Sequence, residues 1–364
     1  MINFAYLPAS AVETALEQIG PGPGSTTAAG FGKFIAGGTN LLDLMKENVM
    51  RPARLVDINP LALNSIEALP DGGLRLGALA RNADTAYHPL VQRGYPLLAA
   101  AILAGASAQI RNMASNGGNL LQRTRCYYFY DTGVPCNKRV PGSGCPAISG
   151  LARLHAILGA SEQCIATHPS DMCVALRALD AVVQVQSPRG GRAIAMADFH
   201  RLPGGQPDID TTLAHDELIT SIDLPPPAPG FAAHSAYLKL RDRASYAFAL
   251  VSVAAALDIG ADGLVKEARI ALGGVAHKPW RDPEAEALLV GQPASPAAFA
   301  EAAKHLLRGA QAQGVGPGSN AFKIPMAQRA VVRALEMALA GTVANTVNND
   351  NDNDNDNDNA EDAP

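Results

Sequence analysis

The sequence predicts an α+β protein with at least two structural units. Short apolar runs of strand length alternate with segments of helical spacing over the first 225 residues. A proline-rich run, DLPPPAP at residues 223–229, then interrupts the pattern and predicts a boundary. Beyond it, strand-like segments come first and helices follow. The 364 residues allow one to three domains with a buried core.

The elements before the boundary follow from apolar spacing and punctuation. A flexible turn is expected in the glycine- and proline-rich residues 20–32, and a mostly irregular stretch over residues 107–170. Strands are expected at residues 3–7, 33–36, 54–57, 74–78 and 182–185. Helices are expected at residues 11–19, 41–46, from 82, at 95–106 and at 171–178, the last with Ser170 or Asp171 as its N-cap.

The elements after the boundary are three strands and two helices. The strands are expected at residues 235–239, 251–258 and 268–273, and the helices at 296–308 and 325–340, each with proline in its first turn. Residues 345–364 include an alternating Asn/Asp run without apolar side chains, which predicts a disordered tail. The domains are therefore expected at 1–225 and 230–342.

Composition excludes several classes of function. The net charge of −5 argues against a nucleic-acid-binding surface, which requires a basic face. No apolar run reaches 18 residues, so no membrane span is expected. The N-terminus lacks a basic region followed by an apolar one, which predicts that the chain carries no secretory signal of its own.

Two glycine-pair motifs predict a nucleotide-type ligand. AGGTN at residues 36–40 follows an apolar strand and precedes a helix, and SNGGN lies at residues 115–119. Glycines allow close backbone approach, and successive amides can form a nest for a diphosphate. Each motif alone is weak, and a tight strand-to-helix turn is the simpler account of the first taken by itself. Together they suggest two loops that clamp one elongated dinucleotide.

All five cysteines of the chain lie within residues 126–173. Such clustering favours metal or iron–sulfur ligation over a disulfide framework. Cys173 has helical spacing with Leu176 and is interpreted as a buried core thiol. Cys126, Cys136, Cys145 and Cys164 remain as four ligands for one site, with zinc or free buried thiols as the alternatives.

Two further residues have open interpretations. His168 is a candidate metal ligand, although a loop that caps the next helix explains it more simply. Lys239 lies within a predicted strand. Its side chain either faces solvent, which is usual for such a lysine, or contacts the phosphate or ring of a cofactor.

Five motifs in order resemble the FAD-binding medium subunit of the xanthine dehydrogenase family, and most closely that of the periplasmic molybdenum-containing aldehyde oxidoreductases. They are FIAGGTNLLDLM, RNMASNGGNLLQRTRCYYF, CIATHPSDMCVAL, YLKLRDRASYAFALVS and RIALGGVAHKPWR. The resemblance covers roughly residues 1–340. It implies a vanillyl-alcohol-oxidase-like (PCMH-type) FAD domain in two parts, and a C-terminal domain with a three-stranded antiparallel sheet and helices.

The resemblance also assigns cofactor-binding residues. For FAD these are Phe34, Ile35, Ala36, Gly37, Gly38, Thr39, Asn40 and Leu41 in the first loop, Ser115, Gly117, Gly118 and Asn119 in the second, and Asp171, Ile219 and Lys239 beyond them. Asn116 stands where the family usually has Ile, Val or Leu. The insertion at about residues 121–167 resembles that of family members with a 4Fe–4S cluster, which implies Cys126, Cys136, Cys145 and Cys164 as its ligands.

The implied function is electron transfer. FAD in this chain would pass electrons from 2Fe–2S clusters of a small partner subunit to an external acceptor, while a large molybdenum-cofactor subunit oxidises an aldehyde to its acid. No residue of this chain is expected to be a catalytic acid or base. A heterotrimer exported with a signal-bearing partner to the periplasm is expected, with the cytoplasm as the alternative location. The alternative functions are the FAD subunit of a xanthine or aromatic-CoA enzyme, a zinc-stabilised scaffold without flavin, and a flavin oxidase that works alone.

Overall fold

The structure is a computed structural model that describes residues 1–20 and 31–343. Most of the predicted turn at 20–32 and all of the predicted tail at 345–364 lie outside the described residues. Within them, three sheets follow one another along the chain. No helix of the described ranges combines the length and the apolar character that a bilayer crossing requires.

The first sheet has three parallel strands in the order β1-β3-β2. The strands are β1 (Ala5–Pro8), β2 (Gly32–Ile35) and β3 (Arg54–Asp57), and the helices α1 (Val12–Gln18) and α2 (Leu41–Lys46) connect them. Since both neighbours of β3 are parallel to it, the carboxyl ends of all three strands meet at one edge. The glycine pair after β2 lies at that edge.

The second sheet has five antiparallel strands in the order β4-β5-β8-β6-β7. The strands are β4 (Ile66–Ala68), β5 (Leu74–Gly77), β6 (Val182–Ser187), β7 (Gly190–Ala195) and β8 (Leu218–Leu224). Helices lie between β5 and β6 in the chain, namely α3 (Asn82–Tyr87), α4 (Pro89–Gly94), α5 (Pro96–Ala104), α6 (Ala108–Arg111), α7 (Asn116–Leu120), α8 (Tyr127–Tyr130) and α9 (Asp171–Ala178). α10 (Met196–Phe199) follows β7.

The third sheet is antiparallel and has the order β12-β11-β10-β9. Three strands are long, β9 (Ser235–Leu240), β10 (Val251–Ile259) and β11 (Val265–Gly273), and match the predicted three-stranded sheet. The two-residue β12 (Trp280–Arg281) adds an edge. α11 (Pro229–Ala233) precedes this sheet, and α12 (Pro283–Ala287), α13 (Pro296–Leu306) and α14 (Lys323–Leu339) follow it.

Two large apolar clusters hold these layers together. One joins α5 and α9 to the five-stranded sheet, with Leu98, Leu176 and Ile222 fully buried. The other packs α13 and α14 against β10 and β11, around Phe299 and Val331. α9 also contacts β10 and β11, so it links the two halves of the chain. α9 therefore holds the side chains at its N-terminus at the junction between the sheets.

Candidate functional site

A large cavity of about 1590 Å³ lies between the three-stranded sheet, the second glycine-pair loop and α9. All the cofactor-binding residues inferred from the sequence except Lys239 line this cavity: Phe34, Ile35, Ala36, Gly37, Gly38, Thr39, Asn40, Leu41, Ser115, Gly117, Gly118, Asn119, Asp171 and Ile219. The volume lies above the range of ordinary small-ligand pockets, which suits a dinucleotide.

The first glycine-pair loop touches the segment that leads into the second. A Cβ atom at Gly37 would lie 1.8 Å from the backbone oxygen of Met113, a separation that no real contact reaches. Gly38 has φ of +72°, in the left-handed region that L side chains rarely adopt. The first loop therefore needs glycine at both positions, once for close approach and once for backbone conformation.

The loops differ in the amides that they can offer. In the described ranges, no amide of Gly37, Gly38 or Thr39 donates a hydrogen bond to another backbone group. In the second loop, the Gly117 amide donates to the Ala78 oxygen at 2.8 Å and the Gly118 amide to Ser115 Oγ at 3.3 Å. The free nest of amides thus lies in the first loop, and the second loop acts mainly as its packed wall.

Asn116 has a structural role that the family pattern did not predict. Its side chain is fully buried and accepts hydrogen bonds from Asn82 at 3.0 Å and Thr85 at 3.1 Å. Asn82 in turn accepts from Asn119, which accepts from Ser170. Because the buried polar groups satisfy one another, they fix the second loop against α3 and the start of α9.

Asp171 is the carboxylate that faces the cavity from α9. It accepts hydrogen bonds from Tyr237 Oη at 2.7 Å and from Lys239 Nζ at 2.8 Å, and both charged side chains are almost completely buried. Lys239 also donates to the Ala104 oxygen at 3.0 Å. Lys239 does not line the cavity itself and therefore acts on it through Asp171. Without Lys239, the buried Asp171 carboxylate would carry an uncompensated negative charge.

The sequence analysis missed a group of charged side chains in the cavity wall, formed by Lys33, Arg123, Lys138 and Asp210. Lys138 and Arg123 both donate to Asp210, which also lines the cavity. Burial opposes ionisation of Asp210, but Arg123 and Lys138 hold the pKa of its carboxyl well below the ordinary value. Burial, with help from Arg123, lowers the pKa of Lys33 nearby. No spacing rule links these residues, because they come from segments that are far apart in the chain.

Cys126, Cys136, Cys145 and Cys164 surround one small cavity in the insertion, and none forms a disulfide. Burial raises the pKa of the Cys126 thiol to about 12 and that of Cys164 to about 11, and neighbouring thiols add to both rises. Cys173 lies elsewhere, fully buried in the core around α9, as the sequence predicted.

The four thiols are not closely packed. Among the described residues, no three of them have sulfur atoms within 4.8 Å of one another. The sulfur atoms of a tetrahedral zinc site with Zn–S bonds of about 2.3 Å lie about 3.8 Å apart. The wider arrangement fits a cluster in which each thiolate binds a different iron.

Residues of the C-terminal part of the chain hold the wall of the cysteine-lined cavity in place. His155 Nε2 lies 3.0 Å from Cys126 Sγ. The buried Lys323 Nζ donates to the His155 oxygen at 2.8 Å and to the Gly274 oxygen at 2.5 Å, and Asn320 donates to the His155 oxygen at 3.0 Å. α14 and the loop before it thus position the insertion.

Two family descriptions match the chain. "FAD binding domain in molybdopterin dehydrogenase" matches residues 3–227, and "CO dehydrogenase flavoprotein C-terminal domain" matches residues 235–338. The first match covers more than half of the chain. Both agree with the α+β architecture described above.

Individual relatives agree with these two family matches. The aldehyde oxidoreductase FAD-binding subunit PaoB of Escherichia coli is 58% identical over 258 residues, which are 71% of this chain and 79% of that protein. A putative xanthine dehydrogenase FAD-binding subunit of the same organism is 29% identical over 70% of each chain. The solved carbon monoxide dehydrogenase of Hydrogenophaga pseudoflava matches with a TM-score of 0.70 and 26% identity, over 93% of this chain and 99% of that one. The glycine-loop cavity, the sheet architecture and these matches together place the chain in the family of FAD-binding oxidoreductase subunits of molybdenum hydroxylases.

Proposed function

We propose that this chain is the FAD- and 4Fe–4S-containing electron-transfer subunit of an aldehyde oxidoreductase. Its partners would be a large molybdenum-cofactor subunit and a small 2Fe–2S subunit in a heterotrimer. The observation that carries the proposal is that the large cavity and the cysteine-lined cavity share a wall. Lys138 lines both cavities, and Leu44 lines the first while it packs against Cys126, Cys136 and Cys164.

The FAD assignment rests on two sets of residues that line the large cavity, one suited to a diphosphate and one suited to a planar ring system. Free amides of Gly37, Gly38 and Thr39 suit a diphosphate, and the Lys33–Arg123–Lys138 group adds positive charge. Tyr127, Tyr246 and Phe248 also line the cavity and are exposed, and the Arg125 guanidinium lies 4.8 Å from the Phe248 ring centre. Aromatic faces suit a planar ring system. FAD supplies redox chemistry when bound, while the chain positions it and excludes other reactions.

The 4Fe–4S assignment rests on the four thiols and their surroundings. Cys126, Cys136 and Cys164 are at least nine-tenths buried. Apolar burial and hydrogen bonds tune the potential of such a cluster. Lys138 and Leu44 would lie between the two cofactors. The cluster would therefore lie close enough to the flavin to take part in electron transfer.

The aldehyde assignment rests on the 58% identity with the E. coli aldehyde oxidoreductase subunit. Since that relative is a subunit of a larger enzyme, the substrate would bind the partner and not this chain. We place the complex in the periplasm, exported with a partner that carries the signal.

The test is reduction of the flavin by substrate. The chain, co-purified with its two partners, is mixed with an aromatic aldehyde without air, and the loss of flavin absorbance is followed. We expect the flavin absorbance to fall in the complex and not with the chain alone, because the substrate would bind the molybdenum-cofactor partner. Bleaching by xanthine and not by aldehydes would contradict the assigned substrate class. Bleaching of the isolated chain by the aldehyde would contradict the electron-transfer role.

A further inference from the structure

A second group of potential metal ligands lies apart from the four-cysteine site. His168, Cys173 and His200 are all buried, and one ligand atom of each lies within 4.8 Å of the other two. His168 precedes α9, Cys173 lies in its first turn, and His200 follows α10. The two imidazole ring centres are 4.1 Å apart. Two stretches of chain, residues 168–173 and the segment that begins at His200, thus converge on one point.

Two nitrogen atoms in this group have no partner. His168 Nε2 and His200 Nδ1 are buried and form no hydrogen bond within the described chain. A buried polar atom without a partner costs about 1–3 kcal/mol. Other buried ring nitrogens of the described residues, such as both of His277, also lack a partner, but those of His168 and His200 lie in one group with the Cys173 thiol.

The second nitrogen of His200 is already oriented. His200 Nε2 lies 2.8 Å from the Leu120 oxygen. A carbonyl can only accept, so Nε2 carries the proton and Nδ1 presents its lone pair. Metal-bound histidines are commonly oriented by such a carbonyl, which fixes the tautomer.

We propose that His168, Cys173 and His200 form a zinc site. Imidazole nitrogen and thiolate sulfur are both zinc donors, and a water molecule would complete the tetrahedron, as in zinc sites with three protein ligands. On binding, the Cys173 thiol would lose its proton to solvent as the Zn–S bond forms. The positive charge of Lys138 acts on this site, but Asp210 forms an ion pair with Lys138. The negative charge of Asp210 therefore offsets the repulsion between Lys138 and a zinc ion.

The site would stabilise the wall of the large cavity. It would connect the end of the insertion, the first turn of α9 and the segment after α10. α9 carries Asp171, and His200 itself lines the cavity. The site is independent of the flavin and of the cluster, because it shares no ligand with either.

The test uses the full chain, purified with its iron, equilibrated with zinc sulfate and dialysed. Zinc and iron are counted by mass spectrometry, and the zinc environment is measured by X-ray absorption. We expect about one zinc per chain, with nitrogen or oxygen neighbours at about 2.0–2.1 Å and one sulfur at about 2.3 Å. His200→Gln should lower the zinc content at least tenfold without changing the iron content.

His305→Gln is the matched control. His305 belongs to a partly exposed group with Asp282 and Glu284, which would hold only adventitious surface zinc. We expect this variant to keep its zinc. Failure of the wild-type chain to retain zinc, a shell of four sulfurs, or loss of zinc in His305→Gln but not in His200→Gln would each overturn the proposal. The absorption spectrum of the wild-type chain decides the matter even if His200→Gln does not fold.

Discussion

Cys136→Ser is expected to remove the iron from this chain. Cys136 is buried and lines the small cavity with the other three cysteines, and a hydroxyl cannot replace a thiolate on iron at comparable strength. Iron should fall from about four per chain to less than one. The flavin should remain at roughly half occupancy or more, because the glycine-pair loops belong to other segments. Iron, sulfide and flavin analysis of the purified variant measures all three quantities.

Cys173→Ser is the matched control for this prediction. It makes the same chemical change at a position that is also buried and lies outside the four-cysteine site. It would remove the thiol of the proposed zinc site, but that site shares no ligand with the cluster. Its iron content should equal that of the wild type. Equal loss of iron in both variants would show that general destabilisation, and not loss of a ligand, causes the effect. Unchanged iron in Cys136→Ser would refute the ligand assignment.

Gly37→Ala is expected to abolish tight FAD binding. The added methyl group would lie 1.8 Å from the Met113 oxygen, so the two glycine-pair loops must separate. Separation by even a fraction of an ångström displaces the free amides from the diphosphate. We expect the Kd for FAD to rise by at least about 100-fold, equivalent to about 2.7 kcal/mol. Fluorescence titration of the apoprotein with FAD measures the change.

Gly205→Ala provides the control for the glycine prediction. A Cβ atom at Gly205 meets nothing within 4 Å, and this loop position does not line the cavity. Its FAD affinity should match that of the wild type. Wild-type affinity in Gly37→Ala would contradict the role of the first loop.

The sequence predicted local features well. The structure places α2, β3 and α9 where apolar spacing and capping residues predicted them, because each is decided by a few neighbouring side chains. The first glycine pair was recognised as a loop at a strand end for the same reason, whereas the second, Gly117 and Gly118, was expected in a loop and lies in the first turn of α7. The exclusion of Cys173 also followed from helical spacing.

Features that depend on contacts between distant segments were missed. Strand β7 was not predicted, since most of its side chains are exposed and it forms only as the edge partner of β6. The Lys138–Asp210–Arg123 group and the Lys323–His155 contact join residues that are far apart in the chain. Asn116 was recognised only as a departure from the family, because its partners Asn82 and Thr85 are known only from the fold.

The central claim is that one chain holds both FAD and a 4Fe–4S cluster. The most direct test is the ultraviolet–visible spectrum of the full chain purified without air, with iron and sulfide analysis. We predict flavin bands over a broad iron–sulfur shoulder and about four irons per chain. A flavin spectrum without iron would contradict the cluster and leave the FAD site. A colourless protein that binds neither cofactor on reconstitution would contradict the whole account.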